Sequence, residues 1–170
     1  MTTLGDVSRK YQALRFASTA VALGSLLTQA EDNELSYLQF AEQLVDHAIK
    51  SRQDKRIELN RRKASLPMVK CLEEFDYRHQ TTIIKRQVNQ LLDFNFVDNR
   101  HNIVFIGPAG VGKTHLAMGI GVKAIDAGYK VLFTTALALI EALELAELKG
   151  ELKKRINTYL KFDILIIDEL

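Results

Sequence analysis

A chain of 170 residues that is 47% hydrophobic and 26% charged carries enough apolar side chains to bury a core, and too many to remain disordered. The net charge of +2 excludes a uniformly polybasic or polyacidic protein. The single cysteine, Cys71, excludes an internal disulfide and has no neighbour at metal-ligand spacing, which fits a reducing, cytoplasmic setting.

In chain order, the spacing of Tyr11, Leu14, Ala17 and Val21 predicts a first helix within Val7 to Ala30. Its uncharged stretch, Phe16 to Ala30, is 15 residues long. That falls short of the roughly 18 or more needed for a membrane span, so no membrane partner is expected. After a break at EDNE, Ser36 or Asn33 is placed to cap a second, longer helix with Leu35, Leu38, Val45, Ala48 and Ile49 on its apolar stripe. This helix should end before Pro67, because proline disfavours helical geometry in the residue before it. Its far end holds a local basic excess: Lys50, Arg52, Lys55, Arg56, Arg61, Arg62 and Lys63 against Asp54 and Glu58. Any polyanion partner is to be sought there, against the plainer alternative of a solvated charged helix.

Residues 1–67 thus read as a helical N-terminal region and 68–98 as a connector. The connector contains EEFDYRHQ and an amphipathic helix near Thr82 to Phe94. A second body spans 99–170, with strand 102–106, helix 113–127 closed by Gly128, strand 130–134, helices 136–149 and 151–160, and strand 162–167. Strands alternating with helices imply an α/β fold with a parallel sheet.

Between the first of these strands and the helix after it lies GPAGVGKT. Gly107, Pro108, Ala109, Gly110, Val111, Gly112, Lys113 and Thr114 match GxxxxGK[S/T] at every position. Glycines at 107, 110 and 112 let backbone N–H groups approach an anion without a Cβ in the way. The helix start adds its unpaired N–H groups and the positive end of its dipole. Lys113 is suited to β and γ phosphates, and the Thr114 hydroxyl to Mg²⁺. By chance such a run arises in fewer than roughly one in a hundred chains this long. His115 follows in the first helical turn and is grouped with the loop, although a generic phosphate loop needs no histidine there.

The last strand ends in Asp168 and Glu169. Beside a phosphate loop, an acid at the carboxyl end of a strand can hold the water shell of Mg²⁺, and a second can polarise an attacking water. Alone, such a pair is an ordinary strand end; the phosphate loop upstream is what gives it meaning.

With GPAGVGKTHLA, YKVLFTTA, DILIIDEL, EEFDYR and the basic N-terminal helix together, the chain resembles the IstB family of transposition helper ATPases. That family is close to DnaC-like helicase loaders within the AAA+ class of P-loop NTPases. The resemblance implies ATP and Mg²⁺ as cofactors, with Lys113 and the loop on the phosphates, Thr114 and Asp168 on the metal, and Glu169 with Lys113 as catalytic groups. It further implies homo-oligomeric assembly on DNA through Lys50, Arg52, Lys55, Arg56, Arg61, Arg62 and Lys63, with delivery or activation of a transposase. Phe75 and Tyr77 lie where the family approaches the base.

The family continues past the acidic pair with further strands, a sensor, an arginine finger and a helical lid. The resemblance therefore implies a truncated frame or fragment with an incomplete sheet, in which the strands 103–106 and 163–167 are either separated by a gap or directly paired. ATP hydrolysis, expected of the full-length family, is left open for this chain. The alternatives are a helicase loader, a non-catalytic remnant that binds DNA or sequesters subunits, and a small-molecule phosphotransferase, for which no second substrate site is visible.

Overall fold

A computed structural model describes residues 2–68, 70–79 and 83–169. The chain divides into two compact units, Met1–Arg56 and Ile57–Leu170.

The first unit begins with α1, Leu4–Ala13, whose start is fixed by a reciprocal cap: Asp6 accepts from the Thr3 N–H and the Thr3 hydroxyl accepts from the Asp6 N–H. The single helix expected over Val7 to Ala30 is in fact two, because the chain turns at Leu14–Phe16 before α2, Ala17–Asp32. Arg15 takes φ 62°, and the Arg15 and Phe16 N–H groups bond the carbonyls of Gln12 and Tyr11. This is a left-handed helix stop made without glycine. The break also changes the phase of the buried face. Thr19, Ala20, Leu23 and Leu26 are inside, while Leu14 and Val21 from the expected face are exposed.

The third helix, α3, runs Tyr37–Lys63. Ser36 caps it reciprocally with Gln39, and it stops ahead of Pro67 as the sequence predicts. Its expected stripe is a correction: Ala48 is buried, but Leu38, Val45 and Ile49 are exposed. Phe40, Leu44 and His47 turn inward to half-buried positions instead. His47 Nδ1 meets the buried Thr19 hydroxyl at 3.2 Å, a polar pairing that helps select this face.

In the second unit, two 3-10 turns, Leu72–Glu74 and Tyr77–His79, are followed by α4 (Lys85–Leu91), α5 (Asn95–Asp98), α6 (Lys113–Asp126), β1 (Val131–Thr135), α7 (Ala136–Leu148), α8 (Leu152–Tyr159) and β2 (Ile164–Asp168). The helix expected from Thr82 starts outside the described residues. Its further end is split, because Phe94 takes φ 53° ahead of α5 and buries its ring 5.2 Å from that of Tyr129.

α6 is the central element. Leu116, Ile120, Ala124 and Ile125 from it join Ala64, Leu72, Phe75, Val88, Phe94 and Val131 in one apolar core. β1 and β2 are parallel, in register from Val131↔Ile164 to Thr135↔Asp168. The α/β class and the parallel pairing are therefore as expected. Asn60 is buried at the end of α3 and donates to the Gly128 and Tyr129 carbonyls at 3.3 Å, and the Phe133 N–H bonds the Ala64 carbonyl at 2.8 Å.

The strand expected at 102–106 is a second correction. Among the described residues the sheet has two strands, β1 and β2, and 102–106 joins neither by a ladder. Of the two arrangements left open, direct pairing with the acidic strand is thus not the one seen. Burial alternates along this apolar run: Ile103 and Phe105 are half-buried, and Val104 and Ile106 are 69% and 91% exposed. An extended segment keeps its period of two from local sterics alone, but counts as a strand only when a neighbour takes up its backbone groups.

Candidate functional site

The glycine-rich loop leaves residues 102–106 and enters α6 through Gly112, which has φ 92° and acts as the helix N-cap with no side-chain cap bond. The first-turn N–H groups of α6 have no intrahelical acceptor, which is what an anion needs. Gly110 has φ 79°, and a Cβ built there would meet nothing within 4 Å. Gly112 differs: a Cβ there would lie 2.6 Å from Phe75 Cε2. One glycine is required by backbone conformation alone, the other by conformation and by a neighbouring ring.

Lys113 folds its ammonium over the loop, donating to the Gly107 carbonyl at 2.9 Å and the Pro108 carbonyl at 2.7 Å. Gly107 to Gly110 are exposed, and Val111 to His115 are half-buried. Thr114 Oγ1 is 2.9 Å from both Asp168 Oδ1 and Oδ2, so the loop and the end of β2 converge on an all-oxygen cluster. Mg²⁺ prefers hard oxygen donors, and the open loop at Gly110, the single ammonium and this cluster fit a magnesium-bound polyphosphate. Glu169 comes next, exposed, at φ 58°.

The His115 ring is not turned to the loop. Its Nε2 donates to the Cys71 carbonyl at 2.9 Å, which requires the Nε2–H form because a carbonyl only accepts. Its ring also stands edge-on to Phe75, with centroids 5.3 Å apart. Phe75 is buried and also meets Tyr77 edge-on at 4.8 Å, and burial raises the Tyr77 hydroxyl pKa above its ordinary value. Sequence reasoning placed Phe75 and Tyr77 near a base and missed the connector's grip on α6. The sequence signal for that grip was the pair of small positions, Gly112 and Gly119, on one side of the helix. Leu72 fills the space at Gly119, where a Cβ would come within 2.5 Å of its Cδ2.

The seven basic residues of α3 are all exposed, but most are engaged within the chain. Arg52 lies 4.5 Å over the Phe16 ring, and Lys55 donates to Ser18 at 2.7 Å. Arg61 pairs with Asp126 at 2.6 Å and Arg62 with Glu58 at 2.9 Å. Lys50 lines a shallow depression with Asp46 and Asp54, acids four positions to either side of it. Arg56 and Lys63 are left without such a partner among the described residues. No described helix is long and apolar enough to cross a membrane.

Residues 9–170 match the family described as IstB-like ATP binding protein. A protein of Geobacillus stearothermophilus named for ATP binding in the insertion sequence IS5376 is 38% identical over 141 residues, covering 83% of this chain and 56% of that protein. A Pseudomonas aeruginosa protein named likewise for IS21 is 38% identical over 146 residues, covering 86% and 55%. One from Bacillus thuringiensis subsp. berliner, named for IS232, is 33% identical over 165 residues, covering 97% and 66%. The chain thus spans little more than half the length of the first two.

Proposed function

Because this chain belongs to the IstB-like ATP-binding protein family, we propose that it binds ATP with Mg²⁺ at residues 107–114 as a helper of an insertion-sequence transposon. The observation that carries the reading is the meeting of Thr114 and Asp168 at 2.9 Å beside a helix start capped by a left-handed glycine. In this reading the loop amides of 109–112 and the first turn of α6 take the phosphate oxygens, Pro108 having no N–H to give, and Lys113 shares its ammonium between loop carbonyls and phosphate. Thr114 and Asp168 would hold Mg²⁺, directly and through its waters respectively. When bound, the metal neutralises charge on the phosphoryl oxygens. Glu169 would orient and deprotonate the attacking water if the chain hydrolyses ATP.

The proposed division of labour gives residues 1–67 to DNA and partner contact, 68–98 to a connector, and 99–170 to the nucleotide. Exposed basic residues of α3 would contact DNA phosphates. ATP-dependent homo-oligomer assembly on DNA in the cytoplasm would deliver or activate the transposase.

Calorimetric titration of the chain with Mg-ATP tests the nucleotide half. Saturable binding that Lys113→Ala removes is expected, and no heat with a folded chain would overturn it. A pull-down with an insertion-sequence transposase as bait tests the partner half. Capture of a replicative helicase in its place would make the chain a helicase loader.

A further inference from the structure

The connector meets α6 along one line. Phe75 touches Gly112, the Cys71 carbonyl accepts from His115 at 2.9 Å, Leu72 packs at Gly119, and Glu73 pairs with Lys123 at 2.5 Å. Positions 112, 115, 119 and 123 recur at three- and four-residue spacing, which is one face of a helix. Two of the four are glycines, so the connector comes close enough for a leucine and a phenylalanine to occupy the space where side chains would be.

The uppermost of these contacts falls on the residue that sets the loop's direction. Gly112 is both the N-cap of α6 and the last residue of the loop. Phe75 is 9% exposed, and its ring edge is shared among Gly112, Tyr77 and His115. Little of that ring is left to offer a ligand.

Resting on the nucleotide reading above, we infer that Phe75 and His115 are positioning residues: they lock Gly112 and so aim the loop and first-turn amides of α6 at the phosphates, without touching the nucleotide. Phe75 blocks the space that Gly112 would need in order to rotate. His115, tied to Cys71, holds the connector in place over it. Small displacements of such a constellation cost binding steeply, because each amide must point at an oxygen within hydrogen-bond range.

The test uses the whole chain and three variants, Phe75→Leu, His115→Leu and His115→Gln. Amide hydrogen exchange without nucleotide is the first readout. In the two leucine variants, exchange at the Leu116 amide, which bonds the Gly112 carbonyl at 3.0 Å, should speed up roughly three- to tenfold, the range one aromatic edge contact supports, with Ile125 and β1 unchanged. Affinity for Mg-ATP and for inorganic tripolyphosphate should fall together by about the same factor. His115→Gln keeps an N–H donor at similar reach and should restore both readouts. If Phe75→Leu does not fold, the comparison of His115→Leu with His115→Gln decides.

Unchanged exchange at Leu116 and unchanged affinity in the leucine variants would overturn the inference while leaving ATP binding intact. A loss confined to ATP, with tripolyphosphate binding untouched, would also overturn it, since Phe75 would then contact the base. A wild-type chain that binds neither ligand would bring down the nucleotide reading and this inference with it.

Discussion

Thr114 Oγ1 stands 2.9 Å from each carboxylate oxygen of Asp168, and this contact joins the start of α6 to the end of β2. One hydroxyl proton cannot satisfy two oxygens fully, so the carboxylate keeps acceptor capacity facing the loop. If both groups serve one metal, Thr114→Ala and Asp168→Asn should each weaken ATP binding about tenfold in Mg²⁺ and hardly at all in EDTA. The double variant should be little worse than either single one, because the two act on one partner. Equal losses with and without Mg²⁺ in calorimetric titrations would remove the metal from the explanation.

Lys113 bonds two exposed loop carbonyls, Gly107 and Pro108, which water can satisfy once the ammonium is gone. Lys113→Met should therefore leave thermal stability nearly unchanged, within about 0.5 kcal/mol. Affinity for Mg-ATP should fall at least about tenfold, roughly 1.4 kcal/mol. A large drop in melting temperature, seen by circular dichroism, would show instead that the lysine is chiefly a brace for the loop.

The two left-handed loop glycines should respond differently to alanine. Gly110→Ala meets open space and should cost only the backbone strain of about 1–2 kcal/mol. Gly112→Ala adds a Cβ 2.6 Å from the Phe75 ring and should cost more, about 2–4 kcal/mol, once the ring has to shift. Urea denaturation of the two variants measures the difference. Equal losses would mean that Phe75 yields freely and does not hold the loop.

The phosphate loop was legible because its residues are chosen for backbone reasons that leave a mark: glycine where φ is positive, lysine and threonine at fixed offsets. Helix ends follow the same logic. The stops at Gly128 and Gly150 carry glycine at φ 96° and 68°, and both were read within a residue or two. The stops after α1 and α2 place Arg15 and Glu34 at φ 62° and 49°, where composition gives no signal, and the break after α1 was missed. Strand pairing was hidden for another reason. Residues 103–106 are the continuous apolar run of a buried strand, but a ladder is a property of the neighbour as well, and a neighbour cannot be read from the segment alone. The connector's grip on α6 was missed because it pairs residues some 40 to 50 positions apart, and the small positions Gly112 and Gly119 say that something packs close without saying what.

The Glu73–Lys123 pair gives a pH signature. Its hydrogen bond to Lys123 lowers the Glu73 pKa below 4.5, and the same bond raises the Lys123 pKa above 10.5. For Glu73, folded below unfolded, the stabilisation is present above pH 4.5 and is lost as pH falls through the lowered folded value. For Lys123, folded above unfolded, it is present below pH 10.5 and lost as pH rises beyond it. Glu73→Gln should therefore flatten part of the acid decline in melting temperature below pH 4.5 and leave the neutral range almost unaltered, as expected for an exposed pair. An unchanged acid limb in that variant would place the sensitivity elsewhere, for instance at Asp6, whose pKa its bonds to Thr3 also lower.

The basic residues of α3 divide by what already holds them. Arg61 and Arg62 are paired with Asp126 and Glu58, and recruiting them to DNA means giving up those ion pairs. Arg56 and Lys63 have nothing comparable to give up among the described residues, while Lys50 sits with Asp46 and Asp54. If α3 meets DNA phosphates, Arg56→Ala and Lys63→Ala should each reduce the salt dependence, the slope of log K against log salt, by about 0.9 for each phosphate left without its cation. Lys50→Ala should reduce it less, because the two acids already offset part of its charge. Fluorescence anisotropy with duplex DNA from 50 to 200 mM salt, roughly the range over which phosphate binding shows, measures each slope. Equal slopes for all three variants and the wild-type chain would mean that this helix is merely solvated, and that any DNA binding lies on other residues.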